Sequence, residues 1–172
     1  MEFRRIFDTI PDQFDRWRPR YCAQAFADIA QEAHLGPGAA ALEIGPGTGQ
    51  ATEPILRTGC DYLGVELGEH LAARMREKFA DAPNFSLVCG DFLEQDLGAE
   101  RFDLVLSAAT IQWMDEKDAF PRCYALLKPG GILAMLRLTP DYRTPNPALY
   151  DRIQEVYAAH FRPREAYTRR FV

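Results

Sequence analysis

The segment Glu43-Ile44-Gly45-Pro46-Gly47-Thr48-Gly49-Gln50 restricts what this chain can fold into more than any other stretch. It follows the apolar run Ala40 to Ile44 and precedes an amphipathic stretch, so it stands where a strand turns into a helix. Three glycines at alternate positions let the backbone take positive φ and approach a ligand with no Cβ in the way. The helix start that follows offers free N–H groups and a positive dipole end. This is the turn of a ligand-binding strand-helix unit.

The residues around it fit that unit. Between 40 and 139, short apolar runs alternate with longer amphipathic ones, the pattern of a parallel sheet covered by helices. Strands are expected at Ala40 to Ile44, Asp61 to Glu66, Asn84 to Cys89, Phe102 to Ser107 and Ile132 to Leu138. Helices are expected from about Gly49 to Arg57, at Glu69 to Ala80, and from Lys117 to Leu127, where Lys128-Pro129-Gly130-Gly131 stops the last of them. Arg20 to His34 has helical apolar spacing, and another helix is expected from about Ala148 to His160 after a loop at 139–147.

Which ligand the turn takes depends on the spacing. A dinucleotide fingerprint needs a small residue where Gln50 stands, and a P-loop needs Gly-Lys-Ser/Thr, which is absent. The pattern present is E-x-G-x-G-x-G, and with it the chain resembles the class I S-adenosylmethionine-dependent methyltransferases. The resemblance implies an α/β fold, a Rossmann-like three-layer sandwich with a mostly parallel sheet, and S-adenosyl-L-methionine as cofactor. It also implies cofactor-binding roles for Gly45, Gly47 and Gly49 in the turn, for Glu66 and Leu67 after the second strand, for Asp91 and Phe92 after the third, and for Ser107 at the end of the fourth. Glu66 would accept both hydrogen bonds of a ribose diol. Asp91 would accept from the adenine amino group, with Phe92 against the ring. Glu43 lies inside an apolar strand, where an ionised group needs a partner, and in the family it helps hold the methionine end. Taken singly, Glu66 and Asp91 also read as ordinary surface acids.

The acceptor side is expected after the fourth strand, because ligands in open parallel sheets sit at the carboxyl ends of strands. The sequence there, Ser107 to Met114, has no Asn-Pro-Pro-Tyr or Asp-Pro-Pro-Tyr, the family's sequence in many enzymes that methylate amines of nucleic acid or glutamine. Gln112-Trp113 resembles the small-molecule branch that includes trans-aconitate methyltransferase, although Trp113 also reads as core packing. Phe14-Asp15-Arg16-Trp17-Arg18-Pro19-Arg20-Tyr21 resembles the lid segment of that branch, with Phe14, Trp17 and Tyr21 as its apolar face. Arg18 and Tyr21 join Gln112 and Trp113 as candidates for the acceptor side, since a guanidinium fork fits a carboxylate; solvated surface arginines are the alternative. No catalytic base is assigned, because none of His34, His70 and His160 is well placed and a carboxylate acceptor needs none.

Composition narrows the partners. The chain has 172 residues and a formal charge of −5, and the body from 21 to 160 carries 11 bases against 20 acids. An acidic body disfavours a nucleic-acid footprint and leaves a small or protein substrate; the small-molecule methyl acceptor is what the resemblance implies. No apolar run approaches the 18 to 20 or so residues of a membrane span, and no signal peptide is evident, so a cytoplasmic protein without membrane attachment is expected. The cysteines form no CxxC pair, and no metal site is expected. Three parts are expected: an N-terminal lid segment and helix at 1–34, a cofactor-binding core at 35–139, and a C-terminal loop and helix at 140–172. The family ordinarily has two further strands, so the chain reads as lacking them. It is either a fragment or, if complete, a homodimer joined through the fifth-strand edge, and the fragment is favoured. Two other functions stay open: an NAD-type oxidoreductase, and a non-catalytic module that keeps the cofactor as a ligand.

Overall fold

The computed structural model of the chain describes residues 3–138 and 146–160. Its backbone divides into two units, Met1–Leu138 and Thr139–Val172. In the first, the strands are β1 (Ala40–Ile44), β2 (Asp61–Glu66), β3 (Phe85–Cys89), β4 (Phe102–Ala108) and β5 (Leu127–Leu136). They form one sheet in the order β3-β2-β1-β4-β5, with every neighbouring pair parallel. The helices are α1 (Pro11–Trp17), α2 (Ala23–Glu32), α3 (Thr52–Leu56), α4 (Glu69–Lys78) and α5 (Glu116–Leu126). Short 3-10 helices cover Phe3–Thr9 and Ile111–Trp113. In the second unit the described element is a helix, Pro147–His160, labelled α6.

The near-continuous apolar character of β1 follows from its place at the centre of the sheet, covered on both faces. Ala41 faces one core cluster with Tyr62, Leu104, Leu106, Ile55 of α3 and Met75 of α4. Leu42 and Ile44 face the other, with Val65, Val105, and Cys123 and Leu126 of α5. The result is the expected Rossmann-like three-layer sandwich. Because β2 and β3 lie on one side of β1 while β4 and β5 lie on the other, the order in which strands are added to the sheet reverses between β1 and β4. A crevice opens there, outside the carboxyl ends of the strands.

Two boundaries differ from the sequence expectation for identifiable reasons. The helix expected from Gly49 begins only at Thr52, because Gly49 sits at φ +84°, outside the helical region. β5 does not wait for Ile132 but pairs from Leu127 onward, with Leu127 opposite Phe102 and Ile132 opposite Leu104. Lys128-Pro129-Gly130-Gly131 therefore bulges out of the ladder rather than separating helix from strand. A Cβ at Gly131 would lie 2.9 Å from the Phe102 carbonyl oxygen, so the bulge needs glycine there. The Asp103 carboxylate fixes this end of the sheet, accepting from the Ala40 amide and from Lys128 Nζ, each at 2.7 Å. No helix among the described residues is long and apolar enough to cross a membrane.

Leu106, fully buried on β4, reports on whether this sheet is the core that carries stability. Leu106→Ala is expected to cost about 2–5 kcal/mol, read as a lower urea midpoint at unchanged slope. A loss below about 1 kcal/mol would contradict the packing described.

Candidate cofactor and acceptor site

The glycine turn is built by hydrogen bonds from outside itself. Gly45, Gly47 and Gly49 have φ values of +63°, +63° and +84°, a region other residues rarely enter. The Gly45 amide donates to the Val65 carbonyl at 2.8 Å, and Thr110 Oγ1 donates to the Gly45 carbonyl at 3.1 Å. The Gly47 amide donates to Glu66 Oε2 at 2.8 Å. A Cβ on Gly47 would lie 3.0 Å from the Phe14 ring, so this glycine lets the lid close directly on the turn. Gly49 does something else: it faces Met75 and Phe79 and does not line the crevice, so it serves the packing of the turn against α4.

Three carboxylates stand at successive strand ends. Glu43, 1% exposed, receives the Thr52 and Tyr62 hydroxyls on Oε2, each at 2.7 Å. Burial pushes its carboxyl up to about 7 against those two donors, and the nearby Glu66 acts in the same direction. Glu66 accepts the Gly68 amide on Oε1 at 2.9 Å besides the Gly47 amide on Oε2. Burial raises its pKa despite those donors, and each oxygen keeps a lone pair for a further hydrogen bond. Asp91 pairs with Arg4 at 2.8 Å and accepts the Leu93 amide at 3.0 Å. Burial alone would raise this carboxyl; Arg4 and the Leu93 amide outweigh it and hold it below the usual carboxylate range.

These groups line one cavity of about 190 Å³. Following the strand order, it presents Asp91 and Phe92, then Glu66 and Leu67, then Glu43, Gly45 and Gly47, and at the far side Gln112, Trp113, Arg18 and Tyr21. Of the site residues proposed from sequence, Gly49 and Ser107 are the two outside it. The Ser107 hydroxyl instead accepts the Ile111 amide at 2.9 Å, which starts the short helix Ile111–Trp113. That helix carries Gln112 and Trp113 to the wall, with Gln112 Nε2 donating to the Ala109 carbonyl at 2.8 Å. Ala109 itself sits at φ +59°, an uncommon conformation for a residue with a Cβ, and lines the same wall. Burial raises the Tyr21 hydroxyl pKa, with Arg18 pulling it the other way.

More of the N-terminal segment than Phe14 to Tyr21 reaches the cavity. Phe7 and Arg4, from the 3-10 helix Phe3–Thr9, also line the cavity, and the Phe7 and Phe14 rings pack 5.2 Å apart. Asp8 ties this helix down by accepting the Leu71 amide at 2.9 Å and facing His70 Nδ1 at 3.0 Å. It thereby caps α4, whose own N-cap, Gly68, has no side chain to do so. Asp12 pairs with Arg74 of α4 at 2.5 Å, and Asp15 accepts from Gln50 Nε2 of the glycine turn at 3.4 Å. Trp17, expected on the inner face, is 72% exposed and outside the cavity. It is the last residue of α1, and the chain turns extended at Arg18, carrying Arg18 and Tyr21 inward and leaving the indole outside beneath the Arg16 guanidinium.

The chain belongs to the methyltransferase domain family, whose model matches residues 42–135. Enzymes of this family take their methyl group from S-adenosyl-L-methionine. Ribosomal RNA small subunit methyltransferase A of Thermosynechococcus vestitus is 44% identical over 71 residues, 41% of this chain and 26% of that protein. Malonyl-[acyl-carrier protein] O-methyltransferase of Enterobacter lignolyticus is 33% identical over 101 residues, 58% of this chain and 39% of that protein. Among solved structures, the CcbJ methyltransferase from Streptomyces caelestis superposes with a TM-score of 0.61 at 29% identity, covering 73% of this chain and 54% of that one. The chain thus spans roughly a quarter to two fifths of the length of these two curated relatives.

The buried Glu43 generates a prediction. Its folded pKa, about 7, lies above the ordinary 4.5, so its contribution to stability is complete below about pH 4.5 and is lost as pH rises through 7. Glu43→Gln, neutral at every pH, escapes that loss. Its melting temperature relative to the parent should rise between pH 5 and pH 8, by the equivalent of up to about 3 kcal/mol. A difference that stays constant across that range would locate the titration elsewhere.

Proposed function

We propose that the chain is an S-adenosyl-L-methionine-dependent methyltransferase whose acceptor is a small molecule bearing a carboxylate. The observation that carries the acceptor class is Arg18. It lines the cavity beside Tyr21, Gln112 and Trp113, and no carboxylate among the described residues pairs with it. Arg4, Arg20 and Arg74, by contrast, are engaged with Asp91, Asp15 and Asp12. A guanidinium facing a cavity without an anion is a seat for one.

The cofactor side fits the residues present. Gly47 lacks the Cβ that would fill the cradle, Glu66 has a lone pair left on each oxygen for a ribose diol, and Phe92 offers an apolar wall beside Asp91. S-adenosyl-L-methionine would supply an activated methyl group on a cationic sulfur, and Glu43, which lines the cavity beside the turn, is the carboxylate we assign to that positive end. The chain's own contribution is alignment and exclusion of water. Phe7 and Phe14 roof the cavity, Arg18 and Tyr21 orient the acceptor, and Gln112 offers an amide to its second oxygen. A carboxylate is already the nucleophile, so the reaction needs no base, and no histidine lines the cavity. The acidic body, with 20 acids against 11 bases over residues 21–160, supports a small acceptor over RNA.

Two measurements test this reading. S-adenosylhomocysteine should raise the melting temperature while NAD does not, and label from methyl-tritiated cofactor should appear in base-labile esters of a carboxylate panel. Stabilisation by NAD alone would overturn the class, and transfer to ribosomal RNA but to no carboxylate would overturn the acceptor. Gly47→Ala, forced against Phe14 at positive φ, should weaken S-adenosylhomocysteine at least about tenfold, or about 1.4 kcal/mol, in calorimetry. Arg18→Gln should raise the acceptor KM about tenfold with a smaller change in kcat, the pattern of lost ground-state binding; an unchanged KM removes Arg18 from the acceptor seat.

A further inference from the structure

The lid has an outer side that the reaction described above does not use. A second, open groove runs along it, lined by Phe7, Ile10, Gln13, Phe14, Trp17 and Pro19, with Arg18 at one side. Ile10 and Trp17 are 44% and 72% exposed there. Single exposed apolar residues are ordinary, but these share one depression whose lining, among the described residues, has Arg18 as its one formal charge, with the Arg16 guanidinium 5.0 Å over the Trp17 ring adding positive charge at its edge. Phe7, Phe14 and Arg18 line both the groove and the cavity, so the two spaces meet at a common wall. At that junction stands the guanidinium assigned to the acceptor carboxylate, 5.4 Å over the Phe14 ring.

We propose that the acceptor is an amphiphile: a carboxylate head seated at Arg18 inside the cavity, and an apolar tail of several carbons laid in the lid groove against Phe7, Ile10 and Trp17. This rests on the carboxylate-methyltransferase reading and narrows it. A short polar acid would leave the groove wet and its indole exposed. A cationic amphiphile would place its charge beside Arg18 with no anion in the groove to receive it. A chain of methylenes covers the apolar lining while its one charge reaches the one charge on the wall. Each methylene taken out of water should add about twofold to fourfold in affinity until the groove is filled.

The test uses the whole unaltered chain, and Trp17 emission is read as the difference between the parent and Trp17→Phe. Straight-chain carboxylates from acetate to dodecanoate, held below their micelle concentrations, are titrated in the presence of S-adenosylhomocysteine. The expected result is a blue shift of Trp17 emission and a Kd that falls twofold to fourfold per methylene along the series. Alkylammonium ions of equal length should bind at least tenfold more weakly. Trp17→Asp, and separately Ile10→Gln in case the first fails to fold, should flatten the dependence of kcat/KM on chain length in otherwise unaltered protein. A Kd independent of length overturns the proposal, as does equal binding of carboxylate and ammonium, which is adsorption to apolar surface only. Trp17 emission already blue-shifted without ligand also overturns it, because protein then covers the groove. The two readings fail separately. Carboxylates that are methylated with no length dependence sink the tail groove alone, whereas length-dependent binding with no methyl transfer upholds the groove and sinks the reaction.

Discussion

The hydrogen bond from the Gly47 amide to the Glu66 carboxylate, 2.8 Å long and buried, holds the turn on which the rest of the site depends. It joins the end of β2 to the loop leaving β1, and the same carboxylate accepts the Gly68 amide at the start of α4. One side chain thus fixes two helix-bound loops at the mouth of the sheet. A buried carboxylate is costly unless its oxygens are occupied, and here backbone donors occupy them. Those donors belong to glycines, whose missing Cβ atoms leave space for the Phe14 ring at Gly47 and for Asp8 at Gly68. The acid is therefore a structural clamp on the turn, and in the proposed cofactor reading its remaining lone pairs would receive a ribose diol.

The lid follows from this arrangement. Because Gly68 offers no cap to α4, an external carboxylate, Asp8, supplies it, and the 3-10 helix carrying Asp8 brings Arg4 and Phe7 over the cavity. The Arg4–Asp91 pair then closes the roof at the Asp91 end. On the proposed cofactor reading, an incoming adenine amino group would meet an Asp91 that already holds Arg4 on Oδ2 and the Leu93 amide on Oδ1. The lid is held by polar contacts, several of them exposed, while the sheet beneath is held by buried apolar clusters. Such a difference places the lid at the low-stability end of the structure, where segments that admit ligands belong.

Much of the architecture was legible in the residues themselves. The alternation of short apolar runs with amphipathic ones located all five strands, and the glycine spacing located the crevice. The sequence also pointed to Glu43, Glu66, Leu67, Asp91 and Phe92, which line one cavity with Gln112, Trp113, Arg18 and Tyr21. Gly49 and Ser107 stand outside that cavity. A motif gives each residue the same apparent purpose, although Gly49 is required for packing on Met75 and Phe79 and Ser107 for starting a helix. Trp17, grouped with Phe14 and Tyr21 by the resemblance to a lid segment, is exposed instead, because α1 ends at that residue and the chain turns extended after it.

By itself, then, the sequence determined the strand-turn-helix unit, its parallel continuation and the acidic residues at the strand ends. Each of these depends on local spacing, on backbone freedom at glycine, or on the two-sided burial of central strands. Tertiary structure alone decided that Asp8 caps a helix more than sixty positions away, that Arg4 meets Asp91, and that Phe7 joins Phe14 over Gly47. It also decided that Arg18 faces the cavity with no carboxylate partner among the described residues while Arg20, two positions on, pairs with Asp15. No local pattern encodes those meetings. They arise when the sheet closes and the N-terminal segment finds, on the far side of the crevice, the donors and charges that satisfy its own.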